Sequence, residues 1–193
     1  MSEPIILEGV FVNLRPLMIS DAKITFNWRQ ADRARYLNKS ADSVEQQEKW
    51  ITERPTSEYN FVIELKNKHP IGMLSLIRVD LINKHAEPAR FLIGDETASR
   101  GIPAAIEAMK LLYELAFDKL GLVRISGIVS INNTLMIKWQ KYLGMKEEGR
   151  LRKHLYQKNG TFEDAICLGL LVDEYRSITL PRMNALVATV RIK

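Results

Sequence analysis

Apolar and polar residues alternate across 9–17, "GVFVNLRPL", the period of a strand with one buried face. Ser20 and Asp21 carry side chains that cap helices, and they predict a helix running to about residue 29. Ser43 with Gln46 three residues later forms a capping-box pattern and predicts a second helix through Trp50. "NFVIEL" at 60–65 and "IGMLSLIRV" at 71–79 read as strands joined by the turn "KNKHP", a hairpin. A further strand is expected over 89–93. The pattern then changes period: Ile106, Met109, Leu112, Leu115 and Ala116 recur at helical spacing over 106–118. A β-branched strand follows at 123–129. A short helix over 135–143 comes next, stopped by Gly144. Two last strands flank "QKNGTF", where Asn159-Gly160 is a hairpin signal. The order is strand, two helices, three strands, helix, strand, helix, two strands, which predicts an α+β (mixed α/β) architecture. The alternation in "ALVATVRI" near the C-terminus suggests an edge strand or an intersubunit contact.

Composition narrows the picture. The 193 residues are 46% hydrophobic and 26% charged, an ordinary globular balance. One domain over 1–193 is expected, with 177–193 a C-terminal extension. The single cysteine, Cys167, excludes an internal disulfide, and its apolar surroundings "AICLGLL" predict a buried, inert thiol. His69, His85 and His154 are scattered without ligand spacing, so no metal site is expected. "MSEPIILEG" lacks the pattern of a signal peptide, and no apolar run is long enough to span a bilayer. A cytoplasmic location without membrane association is expected. The net charge of +5 is spread along the chain, with no arginine-rich arm and no aromatic RNA motif. An acidic small ligand is therefore favoured over nucleic acid.

The stretch "DETASRGIPAAIEAM" at 95–109 places a Gly and a Pro at the start of the strongest helix. Two readings stand: an ordinary helix start, where Pro is common, or an anion cradle of free amides at the positive end of the dipole.

"RGIPAA" resembles the cofactor motif of the GNAT superfamily of acyl-CoA-dependent N-acyltransferases. That motif is Arg or Gln, two residues, Gly, one residue, then Gly or Ala. Arg100 and Ala105 match, and Pro103 stands at the middle Gly. "NNTLMIKWQKYLGM" resembles the second cofactor motif, with Asn133 at the Asn, Gly144 at the Gly and Met145 in place of Phe. The resemblance implies a GNAT fold, a mostly antiparallel central sheet splayed between its middle strands and flanked by helices. It implies acetyl-CoA as cofactor, with the pyrophosphate on Arg100, Gly101, Ile102, Ala104 and Ala105. The pantetheine would enter the splay between 89–93 and 124–129, near Leu92, Ile93 and Asn133. Pro88, lacking an N–H, suits a bulge beside that splay.

A narrower likeness is to the branch that acetylates amino groups of nucleotide-linked sugars, carried by Trp28-Arg29 and by Glu87 ahead of "RFLIGD". The ribosomal-protein and polyamine branches share part of it. Glu87 is the candidate base, directly or through water; its plain alternative is a solvated strand-edge Glu. A backbone amide of 92–94 is the expected oxyanion donor. His85, two residues from Glu87, would share its face if the strand were regular, as a substrate-binding candidate against the alternative of a surface His. Trp28, Arg29, Arg33 and Arg35 are candidates for an acceptor wall, against the alternative of a basic helix with one core Trp. Trp50 reads as core, and Trp139 as core or as packing beneath the cofactor. Asn133 either contacts pantetheine or simply caps its helix. The family's usual Tyr general acid falls on Gln140 here, and Tyr142 points to another face, so the acid is unassigned and water can protonate the thiolate.

The expected activity is direct acetyl transfer to a small-molecule amine, a nucleotide-linked amino sugar, with no nucleic acid and a possible homodimer. Two alternatives stay open: a protein or peptide N-terminal acetyltransferase, and a non-catalytic acyl-CoA-binding module.

Overall fold

The computed structural model describes residues 5–37, 41–157 and 160–189. The described residues build one eight-stranded sheet in the order β1-β2-β3-β4-β5-β6-β8-β7. Its strands are β1 (Leu7–Glu8), β2 (Val12–Pro16), β3 (Tyr59–Leu65), β4 (Pro70–Asp80), β5 (His85–Ile93), β6 (Arg124–Ser130), β7 (Lys146–Tyr156) and β8 (Phe162–Leu171). Every neighbouring pair is antiparallel except β5 and β6, which run parallel. The helices are α1 (Ala22–Gln30), α2 (Val44–Glu53), α3 (Ala104–Glu114), α4 (Thr134–Tyr142), the short α5 (Val172–Glu174) and α6 (Leu180–Ala188). No helix among the described residues is long and apolar enough to cross a membrane. The expected mixed α+β sheet is present; Asn159 of the hairpin signal lies outside the described residues.

Local chemistry explains the boundaries. Ser43 Oγ accepts the Gln46 amide at 3.3 Å and opens α2, while the Gln46 side chain reaches back to the amide of Asp42 at 2.9 Å. Before α1, Asp21 accepts the Met18 amide at 2.8 Å and is clamped by Arg15 at 2.8 Å. That anchor adds a 3₁₀ turn, Ile19–Asp21, ahead of the helix. Gly144, with φ of 112°, ends the α4 segment in a conformation that suits glycine.

The main core lies between the sheet and α3. α3 is apolar nearly all round rather than on one stripe, with Ile106, Ala108, Met109, Leu111, Leu112 and Tyr113 all buried. The C-terminal segment explains why. It is not the expected edge strand: the chain turns helical from Val172 and continues to Ala188. Leu180, Met183, Leu186 and Val187 fall at helical spacing and make one helix face against the main core. Met183 is fully buried, and Tyr175 stacks on Phe117 with ring centroids 4.5 Å apart. The expected extension is thus part of the core; the final residues, 190–193, lie outside the described set.

Glu107 is the one charged residue in that buried face of α3. Its carboxylate accepts the amides of Val10, Phe11 and Val12 at 2.7, 2.7 and 2.8 Å. These are charge-assisted bonds to a turn that would otherwise bury unpaired donors. Gly9 is required beside it, because a Cβ there would lie 2.6 Å from the Glu107 carboxyl carbon.

Candidate active site

The sheet opens at the parallel pair. β5 and β6 are in register only at His85↔Arg124 and Ala86↔Ile125. From Glu87 onward β5 keeps β4 and leaves β6. The gap continues into a cleft of about 570 Å³. Glu87, Pro88, Ala89, Arg90 and Phe91 form one wall, and Ile128, Val129 and Ser130 the other. Asn133, Met136 and Gln140 of α4 close one end. Gln46, Gln47 and Trp50 of α2 and Arg29 of α1 also line the cleft, and Tyr36 reaches the start of α4, its hydroxyl donating to Asn132 O at 3.0 Å.

Two bulges shape β5, one on each side of Pro88. Ser75 pairs Ala89 and Met73 pairs Leu92, so Leu74 faces both Arg90 and Phe91. Ile77 pairs Glu87 and Asp80 pairs His85, so Arg78 and Val79 face Ala86 alone. Arg90 and Arg78 occupy left-handed backbone at these points, with φ of 55° and 51°. Such a conformation costs roughly 1 kcal/mol or more for a residue with a Cβ. Side-chain contacts offset it. Arg90 donates to Glu58 Oε2 at 2.8 Å and to Asn60 Oδ1 at 3.0 Å, and it lies over the Trp50 ring at 5.1 Å. Asn60, itself buried, also accepts the hydroxyl of Ser75 at 2.7 Å.

Arg78 turns to Glu87 Oε2 at 3.2 Å. The Glu87 side chain is 20% exposed, in the splay, not on a solvated edge. Burial pushes its carboxyl above the ordinary range, and Arg78 and Arg90 oppose part of that rise. A carboxylate so placed is a stronger base than one in water. Arg29 is shifted down, by desolvation first and then by its neighbour Arg90, so two guanidiniums share a water-poor corner of the cleft.

The structure redistributes the other candidates. Trp28 does not line the cleft. It is buried with Ala34, Met73 and Leu92, and a Cβ on Gly94 would fall 2.2 Å from its ring. Trp50, expected in the core, packs against the small cluster of Leu17, Ala22, Ile51 and Val62 and also lines the cleft. Both tryptophans lie on amphipathic helices, and only the docking of α1 and α2 on the sheet separates their roles. Arg29 lines the cleft; Arg33 is paired with Glu96, and Arg35 lies 4.9 Å from the Tyr36 ring. His85 stands at the far end of β5, 3.8 Å from Asp80, outside the cleft. His85 and Glu87 stay two residues apart on β5, but the bulge in β4 sets Asp80 against His85 and Ile77 against Glu87, so the two side chains meet different partners. Trp139 packs against the main core. Cys167 is partly buried rather than fully buried. No cluster of metal-ligating side chains exists among the described residues.

The expected amide donors sort by direction. The Gly94 amide donates to Ile71 O at 2.7 Å and is therefore occupied. With Gly72 opposite Ile93 and Met73 opposite Leu92, the ladder alternates. Leu92 is turned into the ladder, and its side chain packs beside Trp28. Ile93 is left with its amide facing the gap.

At the helix start, Pro103 is the N-cap, and α3 begins at Ala104, two residues earlier than the apolar period suggests. The first intrahelical bond runs from the Glu107 amide to Pro103 O at 3.0 Å. The amides of Ala104, Ala105 and Ile106 precede it and have no carbonyl a turn back within α3. Those of Arg100 and Ile102 already donate to Thr97 O and Ser99 O, at 3.3 and 3.4 Å. Gly101 has φ of 80°, and a Cβ on it would meet nothing within 4 Å, so the loop surface above the helix start is open. Asn133 caps α4, its Oδ1 accepting the Met136 amide at 3.3 Å, and it also lines the cleft.

Residues 12–146 match the acetyltransferase (GNAT) domain family. Spermidine N(1)-acetyltransferase of Escherichia coli (strain K12) is 29% identical over 119 residues, 62% of this chain and 61% of the relative. The match thus spans less than two thirds of that relative's length. "Probable N-acetyltransferase YjcK" of Bacillus subtilis (strain 168) is 29% identical over 177 residues, 86% of this chain and 96% of the relative. The solved structure of a GCN5-related N-acetyltransferase from Brucella melitensis superposes with a TM-score of 0.79. It is 23% identical and covers 96% of this chain and 86% of that one, a likeness of fold.

Proposed function

Because the chain belongs to the GNAT acetyltransferase family, we propose that it transfers an acetyl group from acetyl-CoA to the primary amine of a small acceptor bearing an anionic group, with a nucleotide-linked amino sugar as the acceptor class. The observation that carries this reading is Glu87, half-buried where β5 leaves β6, in a cleft that also presents Arg29, Arg78 and Arg90.

The residues present fit the cofactor. The unpaired amides of Ala104, Ala105 and Ile106, beneath the open loop at Gly101, suit a pyrophosphate, with Arg100 adding charge. Pro103 contributes no donor, and its place at the N-cap means none is needed from it. Ile93 and Asn133 face the gap where the pantetheine arm would lie. When bound, acetyl-CoA supplies an activated thioester carbonyl.

The chain's own residues supply the rest. Glu87 accepts the proton of the acceptor ammonium, directly or through water, and leaves the amine free to attack. Arg78 holds the Glu87 carboxylate by its Oε2. The Ile93 amide offers an N–H where negative charge develops. Arg29, Arg90 and the Trp50 face suit a diphosphate and a base better than they suit a polycation. Spermidine, the substrate named for the E. coli relative, would meet three guanidiniums against the carboxylates of Asp42 and Glu87. Cytoplasmic residence remains part of this reading.

CoA-thiol release is to be measured against nucleoside-diphosphate amino sugars, spermidine and N-terminal peptides in parallel. Release with an amino-sugar nucleotide, with KM raised about tenfold by Arg29→Ala, is the expected result. Preferential turnover of spermidine or of a peptide would overturn the acceptor class. Acetyl-CoA binding with no release from any amine would favour a non-catalytic module.

A further inference from the structure

α4 carries Gln140, half-buried in the same cleft as Glu87, and the buried Tyr113 of α3 reaches it from below. The Tyr113 hydroxyl donates to Gln140 Oε1 at 3.2 Å. On its other side, Gln140 Nε2 donates to the thioether sulfur of Met136 at 3.6 Å. A thioether sulfur can only accept, so the amide has one self-consistent orientation: oxygen toward the phenol, N–H groups toward sulfur and cleft. Turning the amide over would let Nε2 donate to the phenol oxygen, but it would leave the buried Tyr113 O–H without its acceptor and set Oε1 against the sulfur lone pairs.

We propose that Gln140 donates a hydrogen bond to the sulfur that leaves acetyl-CoA, and that Tyr113 is the positioning residue that holds the Gln140 amide in the donating orientation. The inference rests on the acetyltransferase reading above. In the reaction the amine nitrogen bonds to the carbonyl carbon, the C–S bond breaks, and its electron pair goes to sulfur. The amine proton passes to Glu87 or water, and solvent returns a proton to sulfur. Gln140 gives up no proton. It lowers the energy of the thiolate by a charge-assisted bond and displaces only a weak thioether contact to do so. Tyr113 is not itself the acid. Burial pushes its phenol further above the thiol range, so proton transfer to a thiolate would run uphill.

The test uses the full chain saturated with CoA, the bound thiol being titrated by its thiolate absorbance in the ultraviolet. Gln140→Met, close in size and without the donor, should lower the acid dissociation constant of the bound thiol about tenfold, the magnitude of one hydrogen bond to a charged group. Tyr113→Phe should lower it by a smaller factor, about threefold, with CoA affinity unchanged. Across acetyl thioesters of differing thiol basicity, the rate loss of Gln140→Met should grow as the leaving thiol becomes more basic. A purely structural role would move thermal stability and leave the thiol titration alone. Identical titration of the bound thiol in wild type and Gln140→Met overturns the inference while leaving acetyl-CoA use intact. Failure of the wild-type chain to bind CoA overturns the acetyltransferase reading itself.

Discussion

Two glutamates on neighbouring elements divide the molecule into a region built for stability and one built for chemistry. Glu107, in the first turn of α3, is 3% exposed and accepts three backbone amides at the β1–β2 turn and the start of β2. Glu87, at the mouth of the splay, has one ion pair at 3.2 Å and a carboxyl pushed up by burial. Each has been taken out of water. The difference is what replaced the water: a complete set of fixed N–H donors in one case, and an incomplete, charged surrounding in the other. A carboxylate satisfied by backbone donors joins elements together. One left partly unsatisfied beside a cavity can take up a proton.

The comparison can be broken from the structural side first. Glu107→Ala strands three amides next to a new void and should destabilise the chain by about 3 kcal/mol or more, read from chemical unfolding. A loss near zero would mean that the turn finds other acceptors. From the chemical side, Glu87→Gln should leave unfolding and CoA affinity unchanged and lower acetyl transfer by about 100-fold, the lower range for removing a general base. Retained turnover would move the base to water. The smallest effect concerns pH. Glu87 works deprotonated, and its carboxyl titrates above the ordinary range, so activity should fall as pH drops through that raised value. Arg78 opposes the rise, so Arg78→Ala should move the acidic limb of kcat/KM to higher pH by a few tenths of a unit, as expected for a partly exposed pair. A shift to lower pH would contradict the assignment of Glu87.

Much of this was legible in local pattern. The caps at Asp21, Ser43 and Asn133 and the stop at Gly144 act on backbone groups a few residues away, so their meaning is carried by near neighbours. Pro88 announced an irregular strand for the same reason. Trp28 and Trp50 were not separable, because each is an aromatic on a helix and the deciding contacts come from β4, β5 and Gly94, distant in sequence. His85 meets other partners than Glu87 because the bulge in β4 sets Asp80 against His85 and Ile77 against Glu87, a feature of the neighbouring strand. The C-terminal alternation read as an edge strand or an intersubunit contact, and the helix it forms instead depends on packing against α3.

Most element types and their order followed from side chains acting on their own stretch of backbone; the C-terminal helix and the first residues of α3 did not. The cleft itself depended on the assembled sheet. Only there do β5 and β6 pair for two residues and part. Only there do two left-handed arginines flank one half-buried carboxylate, and does a phenol from α3 orient an amide on α4. Each of these is a contact between segments far apart in the chain, held by burial and long-range pairing. Periodicity, which reports on one segment at a time, has no term for such contacts.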